Sequence, residues 1–286
     1  MRTTIRDIAA MKRRGKRISM ITAYDYTSAR IVEAAGVDII LVGDSLGQVV
    51  LGYDSTVPVT MDDMIHHISA VVRGTEKVHI VGDLPFMSYQ ASRSDAIRNA
   101  GRLLKEAGAQ SVKLEGGRHV TKTMRRIVQS GIPVMAHIGL TPQAVNQMGG
   151  YRIQGRTTKA AIDLIEDAKA VEDAGAYTLV LEGVPSQLAA IVTERLTIPT
   201  IGIGAGVHCD GQVQVFHDMM GLYTDFTPKH ARKYAHLAEV MGTAVAEYIQ
   251  DVRAQAFPSE DESFTLSPEV LAELTGNTGI VSQSER

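Results

Sequence analysis

The sequence predicts an α/β protein of the (β/α)8 barrel class, a TIM barrel closed by an N-terminal capping helix and followed by a peripheral C-terminal tail. Three observations carry this. Short apolar runs alternate with longer, helically spaced segments along most of the chain, as in a parallel sheet wrapped by helices. The length of 286 residues, 44% of them hydrophobic, suits one such barrel, which needs about 250 residues. Five apolar runs end on a functional polar side chain: Asp44, Asp83, Glu115, His137 and Glu182. A barrel gathers side chains from many strands at one rim, whereas an open doubly wound sheet feeds a ligand from two or three strands at a switch point.

The elements follow in order. Ile5, Ile8 and Met11 behind Thr4 predict a helix over residues 4–13, placed to close the barrel floor. The first strand covers 19–23, and Thr27 is expected to cap the helix after it, which stops at Gly36. Further strands are predicted at 38–43, 78–82, 111–115, 133–138, 177–182, 199–203 and 213–216. Thr60 opens a helix with Met61, Met64, Ile65, Ile68 and Val72 on one stripe. His66 and His67 in that helix point about 100° apart and are poorly placed to share a metal. Ser94 is expected to cap the next helix, Thr157 or Thr158 a later one, and Pro185 to start another. Residues 139–156, rich in Gly, Gln and Asn, read as a long functional or disordered loop. Residues 229–253 read as a long final helix. The catalytic domain is set at 1–256, and 257–286 reads as a Ser-, Glu- and Thr-rich tail, peripheral or partly disordered.

Bulk properties exclude several classes. A net charge of -3 gives no reason to expect nucleic acid or an anionic membrane as partner. The single cysteine, Cys209, rules out an internal disulfide and suits a reducing compartment. The first residues lack an apolar signal core, and no uncharged run approaches the ~20 residues that span a bilayer. A soluble, cytoplasmic protein is expected.

Asp44, Asp83 and Glu115 end consecutive predicted strands. Taken singly, each could cap the next helix. Together they are like charges that repel unless a cation lies between them. A set of hard oxygen ligands without Cys or paired His favours Mg2+ over Zn2+. Lys113 precedes Glu115 by two residues, so both share one face of their strand, and an inward lysine needs an anionic partner. That partner is a substrate carboxylate or, structurally, a neighbouring acid. Ser45 can donate to the same anion. Glu182, two strands beyond Glu115, is free to act as a general base. His137 can hydrogen-bond a carbonyl or enolate oxygen, or be a satisfied polar group. Gly202, Gly204 and Gly206 fail the dinucleotide spacing and read as a tight turn, and His208-Cys209-Asp210 lacks partners at zinc spacing. A metal, a buried lysine and a separate base suit chemistry on a 2-oxo acid: the metal acidifies the neighbouring C–H, and the base removes the proton.

At these residues the chain resembles the ketopantoate hydroxymethyltransferase family. The matching segments are residues 22–26, 42–47, 83–87, 112–116, 136–143, 149–151 with 154–156, and 202–206 with 210–212. They occur in order within a resemblance covering about 4–264. The resemblance implies a barrel of the phosphoenolpyruvate/pyruvate type, assembled as a homodecamer of two stacked five-membered rings. It implies hydroxymethyl transfer from 5,10-methylenetetrahydrofolate to 3-methyl-2-oxobutanoate, giving 2-dehydropantoate for pantothenate and coenzyme A synthesis. By the same resemblance Asp44, Asp83 and Glu115 hold Mg2+, Asp44, Ser45, Asp83, Lys113 and His137 line the oxo acid, and Glu182 is the proton acceptor. Two other readings are a Mg2+-dependent 2-oxo acid C–C lyase of the same barrel superfamily, and a non-catalytic metabolite-binding barrel. Such lyases are expected to use a loop cysteine, and Cys209 lies after the seventh strand. The complete acid–lysine set weighs against a mere binder.

Overall fold

The computed structural model describes residues 1–278. Its strands are β1 (Ile18–Thr22), β2 (Ile39–Val42), β3 (His79–Asp83), β4 (Ser111–Glu115), β5 (Val134–Gly139), β6 (Thr178–Glu182), β7 (Thr200–Ile203) and β8 (Gly211–Gln214). They pair in chain order into a closed barrel, and β8 returns to β1 in parallel with Ile18 opposite Gly211. The middle strands are buried on both faces, which explains why they read as unbroken apolar runs. Met20, Ile39, Leu41, Val81, Met135, Val180 and Ile201 fill the interior, and a second, larger cluster packs strands against helices.

The helices are α1 (Ile5–Arg13), α2 (Tyr26–Ala34), α3 (Leu46–Val49), α4 (Met61–Arg73), α5 (Arg93–Lys105), α6 (Thr121–Gln129), α7 (Val145–Met148), α8 (Thr158–Asp173), α9 (Ser186–Arg195), α10 (Phe216–Met219), α11 (Leu237–Arg253) and α12 (Pro268–Thr278). A reciprocal Thr4–Asp7 capping box starts α1. This helix closes the barrel floor as expected. Ile8 is fully buried within the interior cluster, and Lys12 Nζ reaches Asp210 Oδ2 at 2.9 Å.

Several boundaries differ from the sequence expectation, each for a local reason. Asp25, not Thr27, caps α2 by accepting from the Ser28 N–H at 2.8 Å. Ser92, not Ser94, caps α5. The loop at 139–156 is partly ordered by a 3-10 turn over Pro142–Ala144 and by α7. β8 begins and ends two residues earlier than expected. Gly211 enters the sheet because its missing Cβ would lie 2.4 Å from the Ile18 carbonyl, and Phe216 starts α10 instead. The final helix starts at Leu237 rather than 229, since the Tyr234 N–H is spent on the Met219 carbonyl at 2.8 Å.

Packing divides the chain into Met1–Ala235 and His236–Arg286, whereas the sequence placed its boundary at 256. The first unit holds the barrel. In the second, α11 is followed by α12, and Tyr248 meets Phe257 edge-on at 5.5 Å between ring centroids. The expected tail is thus helical over Pro268–Thr278, and its last eight positions, 279–286, lie outside the described residues. Among the described residues no helix is long and apolar enough to cross a membrane.

Candidate active site

β2 stops at Val42, and the chain turns through Gly43 so that the Asp44 N–H donates to Asp83 Oδ2 at 3.2 Å. Asp83 is the last residue of β3, and the register sets it beside Lys113 of β4. Lys113 Nζ lies 2.8 and 2.6 Å from the two Asp83 oxygens and 3.9 Å from Glu115 Oε1. Two residues on, Glu115 pairs in register with His137 of β5. His137 stands between two carboxylates, Nδ1 3.4 Å from Glu115 Oε1 and Nε2 3.2 Å from Glu182 Oε2, with neither contact aligned as a full hydrogen bond. None of the three strand-end acids caps a helix: Thr60 and Ser92 cap α4 and α5, and α6 begins without a side-chain cap.

Glu182 is placed by a close approach of β5 and β6. The Leu140 N–H donates to the Glu182 carbonyl at 2.8 Å, and a Cβ on Gly139 (φ 96°) would stand 2.3 Å from that oxygen. Only glycine fits both the positive φ and the contact.

Asp44, Asp83, Lys113, Glu115 and His137 are each at most 4% exposed. Burial first, then the Asp83 charge, raises the Asp44 carboxyl well above its usual range. Burial also raises Asp83, against the opposing pull of Lys113. Burial opposes the Lys113 charge, yet Asp83, Glu115 and Asp44 outweigh it and hold the ammonium protonated. Glu115 is lowered despite its burial, by His137, Lys113 and the Gln143 N–H. His137 is pushed up to about 9: burial opposes its charge, and the Glu115 and Glu182 oxygens prevail. Four carboxyl groups thus stand around two basic side chains, Lys113 and His137.

The sequence-predicted residues Asp44, Ser45, Asp83, Lys113, Glu115, His137 and Glu182 all line one cavity of about 960 Å3 at the carboxyl ends of the strands. Other candidates lie elsewhere. Cys209 is buried beyond the amino end of β8, with its carbonyl bonded to Arg17, and Asp210 braces Thr200 and Lys12. Gly204 and Gly206 have positive φ in a turn, where a Cβ on Gly206 would meet Ser186 at 2.3 Å. The His66 and His67 rings stand at 85° to each other, and His67 bonds the Tyr24 carbonyl at 2.6 Å.

Three side chains that sequence reasoning did not single out tie the cluster together. Gln143 donates from Nε2 to Asp44 Oδ2 and the Leu84 carbonyl, both at 2.9 Å, and from its N–H to Glu115 Oε2 at 3.0 Å. Tyr89 donates to Gln143 Oε1 at 2.8 Å and accepts from the Glu115 N–H at 3.1 Å. The Tyr24 and Ser45 hydroxyls are 2.8 Å apart. Pro142 before Gln143, starting a short turn, was the one available signal.

Among the described residues no group of three or more His, Cys, Asp and Glu side chains stands in a metal-chelating arrangement. The donor set nevertheless fits a hard divalent cation. All candidate ligand atoms are carboxyl oxygens, and Glu115 Oε1 is buried without a hydrogen-bond partner.

Fold and site together define an α/β barrel whose strand ends gather ionisable side chains into one cavity, the arrangement of a barrel enzyme. A sequence model of the family described as ketopantoate hydroxymethyltransferase matches residues 2–260. The chain is 61% identical over 277 residues to a 3-methyl-2-oxobutanoate hydroxymethyltransferase of Chloroflexus aggregans, covering 97% of this chain and 99% of that one. It is 57% identical over 270 residues to its namesake in Carboxydothermus hydrogenoformans, covering 94% and 98%. Among solved structures it is similar to 2,3-dimethylmalate lyase (TM-score 0.60, 18% identity, 96% and 95% covered). It is also similar to phosphonopyruvate hydrolase in complex with oxalate and Mg++ (TM-score 0.60, 13% identity, the same shares). At such identities these two likenesses speak for the fold alone. The chain belongs to the ketopantoate hydroxymethyltransferase family, and is a transferase enzyme of that hydroxymethyltransferase kind.

Proposed function

We propose that the protein transfers a hydroxymethyl group from 5,10-methylenetetrahydrofolate to 3-methyl-2-oxobutanoate, giving 2-dehydropantoate on the route to pantothenate and coenzyme A. The relatives' names supply the acceptor, and the observation that carries the chemistry is the convergence of Asp44, Asp83, Lys113 and Glu115 opposite Glu182 in one cavity. Asp44, Asp83 and Glu115 would hold Mg2+. When bound, the ion supplies Lewis acidity that stabilises negative charge developing on the oxo acid's keto oxygen.

The chain's own groups do the rest. The Lys113 ammonium and Ser45 hydroxyl bind the oxo acid's carboxylate, so in the loaded site Lys113 shares its charge between Asp83 and substrate. Gln143 and Tyr89 keep Asp44 and Glu115 from swinging away. Glu182 takes the C3 proton, and His137, protonated and 3.2 Å away, fixes its orientation. The resulting carbon nucleophile bonds to the donor's methylene carbon. Overall, acid, donor and one water give 2-dehydropantoate and tetrahydrofolate.

No observation favours the lyase alternative. Cys209 is 1% exposed at the opposite end of the barrel from the acids. A cytoplasmic setting belongs to the proposed reading, and cell fractionation checks it.

Proton NMR of 3-methyl-2-oxobutanoate in heavy water tests the chemistry. The C3 proton should exchange with enzyme and Mg2+ alone, and 2-dehydropantoate should appear only when the folate donor is added. Turnover without any exchange-competent step at C3 would contradict the reading.

A further inference from the structure

The cavity is much larger than a branched oxo acid requires, and its far wall carries a carboxylate the chemistry above leaves unused. Asp218 lies in α10, just after β8, and lines the same cavity. In a barrel numbered β1 to β8 in order, β8 stands diametrically across from β4, which carries Lys113 and Glu115. Asp218 is 6% exposed, and among the described residues no hydrogen bond or ion pair reaches its carboxylate. Burial raises this carboxyl to about 6, and only the field of Lys233 opposes the shift. A carboxylate that lines a cavity and has no protein partner is free to accept hydrogen bonds from a ligand there.

The oxo acid is not that ligand. It offers a carboxylate and a keto oxygen, acceptors that Asp218 would repel, and the cations suited to it stand on the other wall. The donor's chemistry is complementary. The reduced pterin ring of a folate presents a ring N–H and an exocyclic amino N–H side by side, two parallel donors that match the two oxygens of a carboxylate. Tyr223, Phe226, Pro228 and His230 line the same cavity and supply ring surface against which such a heterocycle can pack.

Resting on the proposed one-carbon donor, we propose that Asp218 anchors the donor's heterocycle by accepting this pair of N–H groups. The anchor holds the one-carbon unit over the acid bound against β2, β3 and β4.

The test is calorimetric titration of the protein with tetrahydrofolate and with its 2-desamino analogue, which lacks one of the two donors. Wild type should bind the analogue at least tenfold more weakly. Asp218→Asn should bind tetrahydrofolate about 10–100-fold more weakly, as expected for charge-assisted hydrogen bonds, and should no longer tell the two ligands apart. The donor KM should rise accordingly, while C3 proton exchange, which needs no donor, still proceeds and reports an intact fold. If Asp218→Asn binds tetrahydrofolate like wild type, the anchor is overturned and the donor assignment stands. If wild type binds the desamino analogue undiminished, the anchor is overturned without recourse to any variant. Wild type that binds no folate at all overturns the donor assignment and the anchor with it.

Discussion

Lys113 and Asp83 illustrate how individual side chains in this site are tuned. Their ion pair is 2.6 Å long and almost wholly buried, so deleting Lys113 would leave a buried acid unpaired at a cost of about 3–5 kcal/mol, whereas deleting Asp83 leaves Lys113 with Glu115 at 3.9 Å. Glu182 is different, since its side chain is 15% exposed and faces the cavity, where a proton can leave to solvent. Glu182→Gln should therefore fold and bind the oxo acid, yet slow deuterium exchange at C3 by roughly 10²–10⁴-fold, the usual worth of a positioned base. Undiminished exchange would remove Glu182 from that role. The acids and Lys113 were legible in the sequence because strand parity alone puts Lys113 and Glu115 on one face, and each acid ends an apolar run. Gln143, Tyr89 and Tyr24 were not, because hydrogen bonds made from loops to a distant cluster leave no periodic trace.

At the scale of elements, the barrel has two ends with different tasks. The rim carries the acids, and the floor carries α1, the Arg2 guanidinium clamped on the Val72, Thr75 and Val78 carbonyls, and a His79–Ser111–Tyr177 network. His79 is 1% exposed, and burial lowers it to about 4. The folded protein keeps this ring neutral, while the unfolded chain takes up a proton below about pH 6.5. Its contribution is thus complete above that value, falls as pH drops toward 4, and changes no further below. Between pH 7.5 and 4.5 this amounts to about 2–3 kcal/mol, from ~1.4 kcal/mol per pKa unit. Urea unfolding of His79→Gln should show a correspondingly shallower acid loss than wild type. Identical slopes would exclude His79 as its source. Strand positions were readable here because interior and exterior faces are both apolar, whereas β8 was misplaced because Gly211 and Gln212 carry no hydrophobic signal. The final helix was drawn too long because Tyr234 continues the apolar period of α11 without joining its hydrogen-bond ladder.

For the molecule as a whole, closure of the sheet is what allows residues nearly a hundred positions apart, such as Asp44 and Gln143, to share a hydrogen bond. The alternation of strands and helices made closure predictable, but the sequence offered no comparable signal for the division at Ala235 and His236. In the second unit α11 exposes Val240, Met241, Val245, Tyr248 and Val252 at helical spacing, a stripe of the kind that marks an association surface. We propose self-association, as a homodecamer on the family resemblance. Light scattering should give a mass near ten chains, and a monomer at micromolar concentration would contradict this.

In the proposed function, strand-end acids hold a divalent ion that makes the C3–H of the oxo acid removable. This is tested most directly by the Mg2+ dependence of C3 deuterium exchange in wild type and Asp83→Ala. Exchange should saturate with Mg2+ in wild type, and the variant should need at least tenfold more of the ion. Exchange independent of Mg2+, or the same dependence in both proteins, would contradict this reading.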